Sequence, residues 1–178
     1  YTRTLLPAAA YPASQPPLPL WSYTAVGWDG EAFVATAIRT DPMDHSAAQH
    51  YDERKMLPRM KARLKGHEDN PILSQLARCA TEYHCLAAKN LFLGRWEAPL
   101  PTSPVCNAGC LGCISLQDRE DLCATQDRIT FVPSPEEVCG VAVPHLRDAP
   151  RAGVSFGQGC EGEPLLQAET LARSIRMM

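Results

Sequence analysis

Cys106-Asn107-Ala108-Gly109-Cys110-Leu111-Gly112-Cys113 sets three thiols at intervals of four and three residues in a loop of small side chains. Thiolates are the soft ligands that iron–sulfur clusters require. Ala108, Gly109 and Gly112 leave the backbone free to wrap a compact inorganic core. A cubane has four irons, so three close cysteines would leave one iron without a nearby protein ligand. Open coordination is what separates a metal centre that does chemistry from one that only supports a fold. A zinc site would match this trio with a second close pair, and a ferredoxin would repeat the spacing and add a cysteine followed by proline. Neither pattern occurs here, but Cys123 or Cys160 could still complete the set. Zinc, a closed cluster and disulfides therefore stay open at this point.

Downstream of the triplet, a polar loop spans Gln117 to Asp127 and Ile129 to Val132 reads as a short strand. Ser134-Pro135-Glu136-Glu137 is a helix start, with Ser134 as cap, Pro135 at the first position and Glu137 closing a capping box. Val138, Val141, Ala142 and Leu146 give that helix a buried stripe. Ala152 to Phe156 reads as a buried strand running into Gly157-Gln158-Gly159-Cys160-Glu161-Gly162-Glu163-Pro164, and Leu165, Leu166, Ala168, Leu171 and Ile175 continue as a helix. Such alternation predicts parallel βα units, in a doubly wound sheet or a barrel, and so an α/β fold. A strand that ends in glycines before a helix also offers unpaired backbone N–H groups to a polar ligand.

Upstream, residues 1–20 form a Pro-rich lead-in, 21–97 a small α+β unit and 98–178 the cysteine-bearing segment. In the α+β unit, Tyr23, Ala25, Phe33, Ala35 and Ala37 alternate about Asp29-Gly30, which predicts a hairpin with a two-residue turn. Ala47 to Lys65 is helical in pattern and interrupted by Pro58. Asn70-Pro71 then starts a second helix bearing Ile72, Leu73, Leu76, Ala80 and Tyr83. Trp21, Trp28 and Trp96 are expected in cores.

The net charge of −3 argues against general affinity for nucleic acid or anionic membranes. No apolar run is long enough to span a bilayer, so a membrane role is not expected. Eight cysteines in 178 residues, three of them clustered and none preceded by a secretion signal, point to a reducing, cytoplasmic setting. Arg54, Lys55, Arg59, Lys61, Arg63 and Lys65 read as a solvated helix face in preference to an RNA-binding one. His45, His50 and His67 read as surface residues, and Cys79 and Cys85, six apart, as buried thiols on different helix faces.

The spacing Cys-x-x-x-Cys-x-x-Cys, with Asn107 after the first cysteine, resembles the signature of the radical SAM superfamily. Gly162-Glu163-Pro164 resembles that family's second motif, a Gly-Gly-Glu at the end of the second barrel strand. Two departures are visible: Gly112 stands where an aromatic residue is usual, and Glu161 where a glycine is common. The resemblance covers roughly Pro99 to Met178 and implies an incomplete radical SAM βα barrel preceded by a small α+β unit. About two βα units fit before Met178, so the chain is expected to be the front part of a longer enzyme.

The resemblance further implies a [4Fe–4S] cluster on Cys106, Cys110 and Cys113, with S-adenosyl-L-methionine chelated to the open iron and Gly162 and Glu163 meeting its ammonium group. One electron, from a donor such as flavodoxin or ferredoxin, would then cleave the sulfonium. The 5′-deoxyadenosyl radical so released would abstract hydrogen from a substrate the sequence does not name. The alternative is a non-catalytic zinc or iron–sulfur module for binding or electron transfer.

Overall fold

The computed structural model describes residues 25–36, 48–117 and 124–178. The lead-in 1–20, Trp21, Tyr23, Ala37, His45, Ala47 and Cys123 lie outside them. Two compact units divide between Asp52 and Glu53, and not at 97/98 where the sequence suggested a boundary.

In the first unit, β1 (Ala25–Trp28) and β2 (Phe33–Thr36) pair antiparallel with Trp28 opposite Phe33. The connection is therefore the four-residue Asp29–Ala32 and not a two-residue turn. The Asp29 carboxylate makes the difference. It accepts the backbone N–H groups of Ala32 at 2.9 Å and Glu31 at 3.0 Å, which also holds its pKa below the ordinary carboxylate value. Gly30, at φ +105°, supplies the left-handed residue such a loop needs. Trp28 and Phe33 meet edge to face at 5.1 Å, but Trp28 is exposed, contrary to the core position expected of it.

The second unit starts with α1 (Glu53–Leu64), shorter than its periodic pattern and carrying Pro58 within it. Met56 and Met60 enter the core, while Arg59 and Arg63 reach across to the carbonyls of Leu93 at 2.7 Å and Val141 at 2.9 Å. Two of the six basic residues of this face thus serve packing. Asn70 caps α2 (Pro71–Thr81) by accepting from Ile72 at 3.0 Å and Leu73 at 3.2 Å, and its amide donates to Glu137 O at 2.9 Å. Ile72, Leu73, Leu76, Cys79 and Ala80 are buried, as their helical spacing requires.

A third helix, α3 (Leu86–Leu93), was not apparent in the sequence and ends at the left-handed Gly94. Its Lys89 is buried and pairs with Glu53 at 2.7 Å. Trp96, just beyond, is partly exposed instead of buried. His50 and His67 are exposed, as expected.

The strand β3 (Glu97–Pro99) was also hidden in the sequence, where it opens a stretch carrying Pro99, Pro101 and Pro104. It pairs parallel with β4 (Gly153–Ser155), Ala98 opposite Val154. Between them runs α4 (Pro135–Asp148), capped as foreseen: Ser134 Oγ accepts from Glu137 N at 3.2 Å and Glu137 Oε2 from Ser134 N at 2.7 Å. Together β3, α4 and β4 make a βαβ unit. No barrel closes among the described residues, whose parallel sheet has two strands.

Three local expectations change. Ile129–Val132 forms no strand; Ile129 is instead buried and tied to Cys160 O at 2.8 Å. Leu146 of α4 faces outward, while His145 is buried, and burial lowers its pKa. After Glu163 the chain makes a 3-10 turn, Pro164–Gln167, before α5 (Ala168–Met177), with Leu165, Leu166 and Ile175 exposed. Among the described residues no helix is long and apolar enough to cross a membrane.

The first three helices belong with the βαβ unit because side chains cross the supposed boundary. Asn70 reaches Glu137, Arg63 reaches Val141, and the Cys79 thiol meets that of Cys160.

Candidate metal centre

The segment leaving β3 leads directly to the first cysteine and is held almost residue by residue. Leu100 N donates to Ser155 O at 2.8 Å. Thr102 and Ser103 are fully buried, and their N–H groups donate to Glu161 Oε2 at 2.6 and 3.0 Å, with Thr102 Oγ1 on the same oxygen at 3.1 Å. Glu161 Oε1 accepts Gly157 N at 2.7 Å and Gln158 N at 2.8 Å. One buried carboxylate thereby joins the exit of β3 to the exit of β4. Five donors also satisfy its charge where solvent cannot.

The chain then returns alongside the approach to Cys106. Gly162 N donates to Ser103 O at 2.6 Å and Glu163 N to Val105 O at 2.9 Å. Gly162 lies so close that an added Cβ would stand 2.0 Å from Val105 O and 3.1 Å from Cys106 N. The neighbours are backbone and cannot swing away. Gly162→Ala is therefore expected to cost about 3 kcal/mol of stability, the upper range for forced overpacking. Urea unfolding of the variant measures this, and a loss under about 1 kcal/mol would mean that Val105 yields freely. At the other end of the turn, Gly159 packs on the Ile114 side chain that follows Cys113, where a Cβ would meet Cδ1 at 2.3 Å.

Within the loop, Cys106 and Cys113 are partly exposed and Cys110 is exposed. Leu111 is almost wholly in solvent. Ala108 N donates to Cys106 Sγ at 3.4 Å, and Cys113 N to Cys110 O at 3.2 Å. Gln117 Nε2 bonds the Cys113 carbonyl. Arg128 Nη2 approaches Cys113 Sγ at 3.1 Å while its Nε donates to Ser115 Oγ at 3.2 Å. Burial works to raise the Cys113 pKa, but the Ser115 N–H and hydroxyl, the Leu116 N–H and Arg128 together outweigh it. The thiol therefore ionises below its ordinary value, toward the form that binds metal.

Glu163 sits partly buried beside this loop and caps the 3-10 turn, its Oε1 accepting Leu165 N at 2.9 Å. Gly162 and Glu163 thus lie next to Cys106 with both backbone N–H groups engaged, and Gly157 and Gln158 donate theirs to Glu161, so this turn does not present the unpaired N–H groups expected of it.

The other described cysteines are engaged elsewhere. Cys160 and Cys79 are buried in thiol–thiol contact, the pair losing its first proton early, with Cys79 down to about 7, because each sulfur can hydrogen-bond the other. Gln75 Nε2 adds a bond to Cys79 Sγ at 3.3 Å. Cys85, expected to be buried on another face of the same helix as Cys79, is only partly buried and lies outside that helix at the start of α3, with its N–H on Cys79 O at 2.9 Å. Cys139 Sγ faces Ser174 O at 3.5 Å. A fourth ligand from Cys160 would require breaking its contact with Cys79. Among the described residues no three His, Cys, Asp or Glu side chains converge on a single-ion position. A cubane presents each thiolate with a different iron, so its ligands surround a volume and need not meet at a point.

Arg128, Ser115 and the buried role of Glu161 escaped the sequence reading. Nothing in a linear pattern links residue 128 to residue 113. Glu161 had counted only as a departure from a motif. No family model, curated protein or solved structure matches this chain.

Proposed function

We propose that this chain carries the cluster loop and cosubstrate turn of a radical SAM enzyme. In this reading Cys106, Cys110 and Cys113 hold a [4Fe–4S] cluster, and Gly162 and Glu163 receive S-adenosyl-L-methionine. The supporting observation is the direct backbone pairing of Gly162 and Glu163 with Ser103 and Val105, one residue before the first cysteine. The donor set also fits: three thiols, one of them biased toward thiolate.

When bound, the cluster supplies the electron that cleaves the sulfonium, the origin of a 5′-deoxyadenosyl radical able to take hydrogen from a substrate. The chain's own part is placement. Glu161 fixes the two strand exits, Gly162 lets the turn lie against the cysteine loop, and the Glu163 carboxylate offers a partner to an ammonium group. The exposed Cys110 and Leu111 leave the loop open to solvent, where an electron donor such as flavodoxin or ferredoxin could approach.

The test is anaerobic reconstitution with iron and sulfide. The expected product is brown and holds about four irons per chain. The electron paramagnetic resonance spectrum of its reduced form should change when S-adenosyl-L-methionine is added. One zinc and no sulfide, or a spectrum indifferent to the cosubstrate, would overturn the proposal.

A further inference from the structure

Arg128 is a cation aimed at a cluster-ligand sulfur. Its guanidinium forks between Cys113 Sγ at 3.1 Å and Ser115 Oγ at 3.2 Å, and it makes no ion pair with a carboxylate among the described residues. The adjacent carboxylate is occupied, since Asp127 takes Arg78 at 2.7 Å and the Tyr83 hydroxyl at 3.2 Å. On the other side, Ile129 is buried and bonded to Cys160 O at 2.8 Å. Anchored neighbours on both sides hold the Arg128 backbone, and its planar fork limits where the charge can go.

A cation donating a hydrogen bond to a ligand sulfur acts unequally on the two redox states of a cluster. The reduced state carries one more negative charge, so it gains more from the donor, and the midpoint potential rises. Arginine stays protonated throughout, so a single electron moves and no proton accompanies it. We propose that Arg128 is a positioning residue that raises the reduction potential of the cluster through Cys113, with Ser115 setting the angle of the fork. The inference rests on the cluster assignment above and adds to it the device that makes the cluster reducible.

The experiment uses the full chain, reconstituted anaerobically and titrated with dithionite while the reduced-cluster resonance is followed, with iron counted on the same samples. Arg128→Met and Arg128→Gln remove the charge, Arg128→Lys keeps it, and Ser115→Ala removes the second arm of the fork. At the wild-type midpoint, the two neutral variants should hold about tenfold less reduced cluster relative to oxidised. For a one-electron couple that is a shift of about 59 mV to more negative potential. Arg128→Lys should stay near wild type, Ser115→Ala should shift less than the neutral variants, and iron content should be equal in all.

Neutral variants with the wild-type midpoint would overturn the role of Arg128 while leaving the cluster assignment intact. Loss of iron from both neutral variants would overturn it too, showing that the residue acts in assembly instead of in tuning. A wild-type chain that takes up no cluster would sink both proposals together.

Discussion

Glu161→Ala should remove about 4 kcal/mol of stability from the unit that begins at Glu53. Five donors now converge on this buried carboxylate: Thr102 N and Oγ1, Ser103 N, Gly157 N and Gln158 N. Alanine would leave them without an acceptor in a place where Thr102 and Ser103 have no solvent exposure. An unsatisfied buried donor costs about 1–3 kcal/mol, and water entering the space left by the side chain recovers part of the total. The loss is large against the roughly 5–15 kcal/mol that holds a domain folded. With a urea slope of about 2 kcal/mol per molar, the unfolding midpoint should fall by about 2 M. Glu161→Gln should also be damaging, because its NH2 group would face N–H donors where an oxygen now accepts them. A midpoint within about 0.5 M of wild type for the alanine variant would show that the carboxylate is not the tie between the two strand exits.

Loss of any one thiol of the triplet should have the largest effect on metal content. Cys106→Ala, Cys110→Ala and Cys113→Ala are each expected to lower bound iron from about four per chain to well under one after anaerobic reconstitution, and to remove the brown absorption. The reason is the ligand count. A cluster held by three protein sulfurs keeps two after a substitution, and the other described cysteines are turned away, Cys160 toward Cys79 and Cys139 toward Ser174. Cys79→Ala and Cys160→Ala serve as controls that should leave iron content near wild type. If a triplet variant kept its full iron and colour, the ligand assignment would be wrong. If Cys160→Ala emptied the site, a closed cluster with four protein sulfurs would replace the open one.

The local signals proved reliable where they rest on bonds between near neighbours. Asn70-Pro71 and Ser134-Pro135-Glu136-Glu137 start helices as read, because a cap is completed within three or four residues. The turn at Asp29-Gly30 was located but given the wrong length, since the Asp29 side chain draws two further residues into the loop. Strand β3 was missed because the prolines at 99, 101 and 104 mask a strand pattern. At the margin of a two-stranded sheet, the N–H that Pro99 lacks is not needed for pairing. Helix α3 was missed as well, since its residues are buried nearly all round and show no clear periodic face.

Of the site, the sequence by itself determined the donor chemistry: three thiols at short spacing, a loop of small residues, and a glycine–glutamate turn one βα step later. It could do so because ligand type and local chain flexibility are properties of residues and their immediate neighbours. Tertiary structure alone decided that Glu161 is buried as a tie, that Cys160 is committed to Cys79, and that Arg128 reaches Cys113. Those contacts join residues 15 to 81 positions apart, and the tie through Glu161 forms because the parallel pairing of β3 with β4 brings both strand exits to the same edge. No pattern of spacing encodes that register, which is set by how the helices pack around the pair.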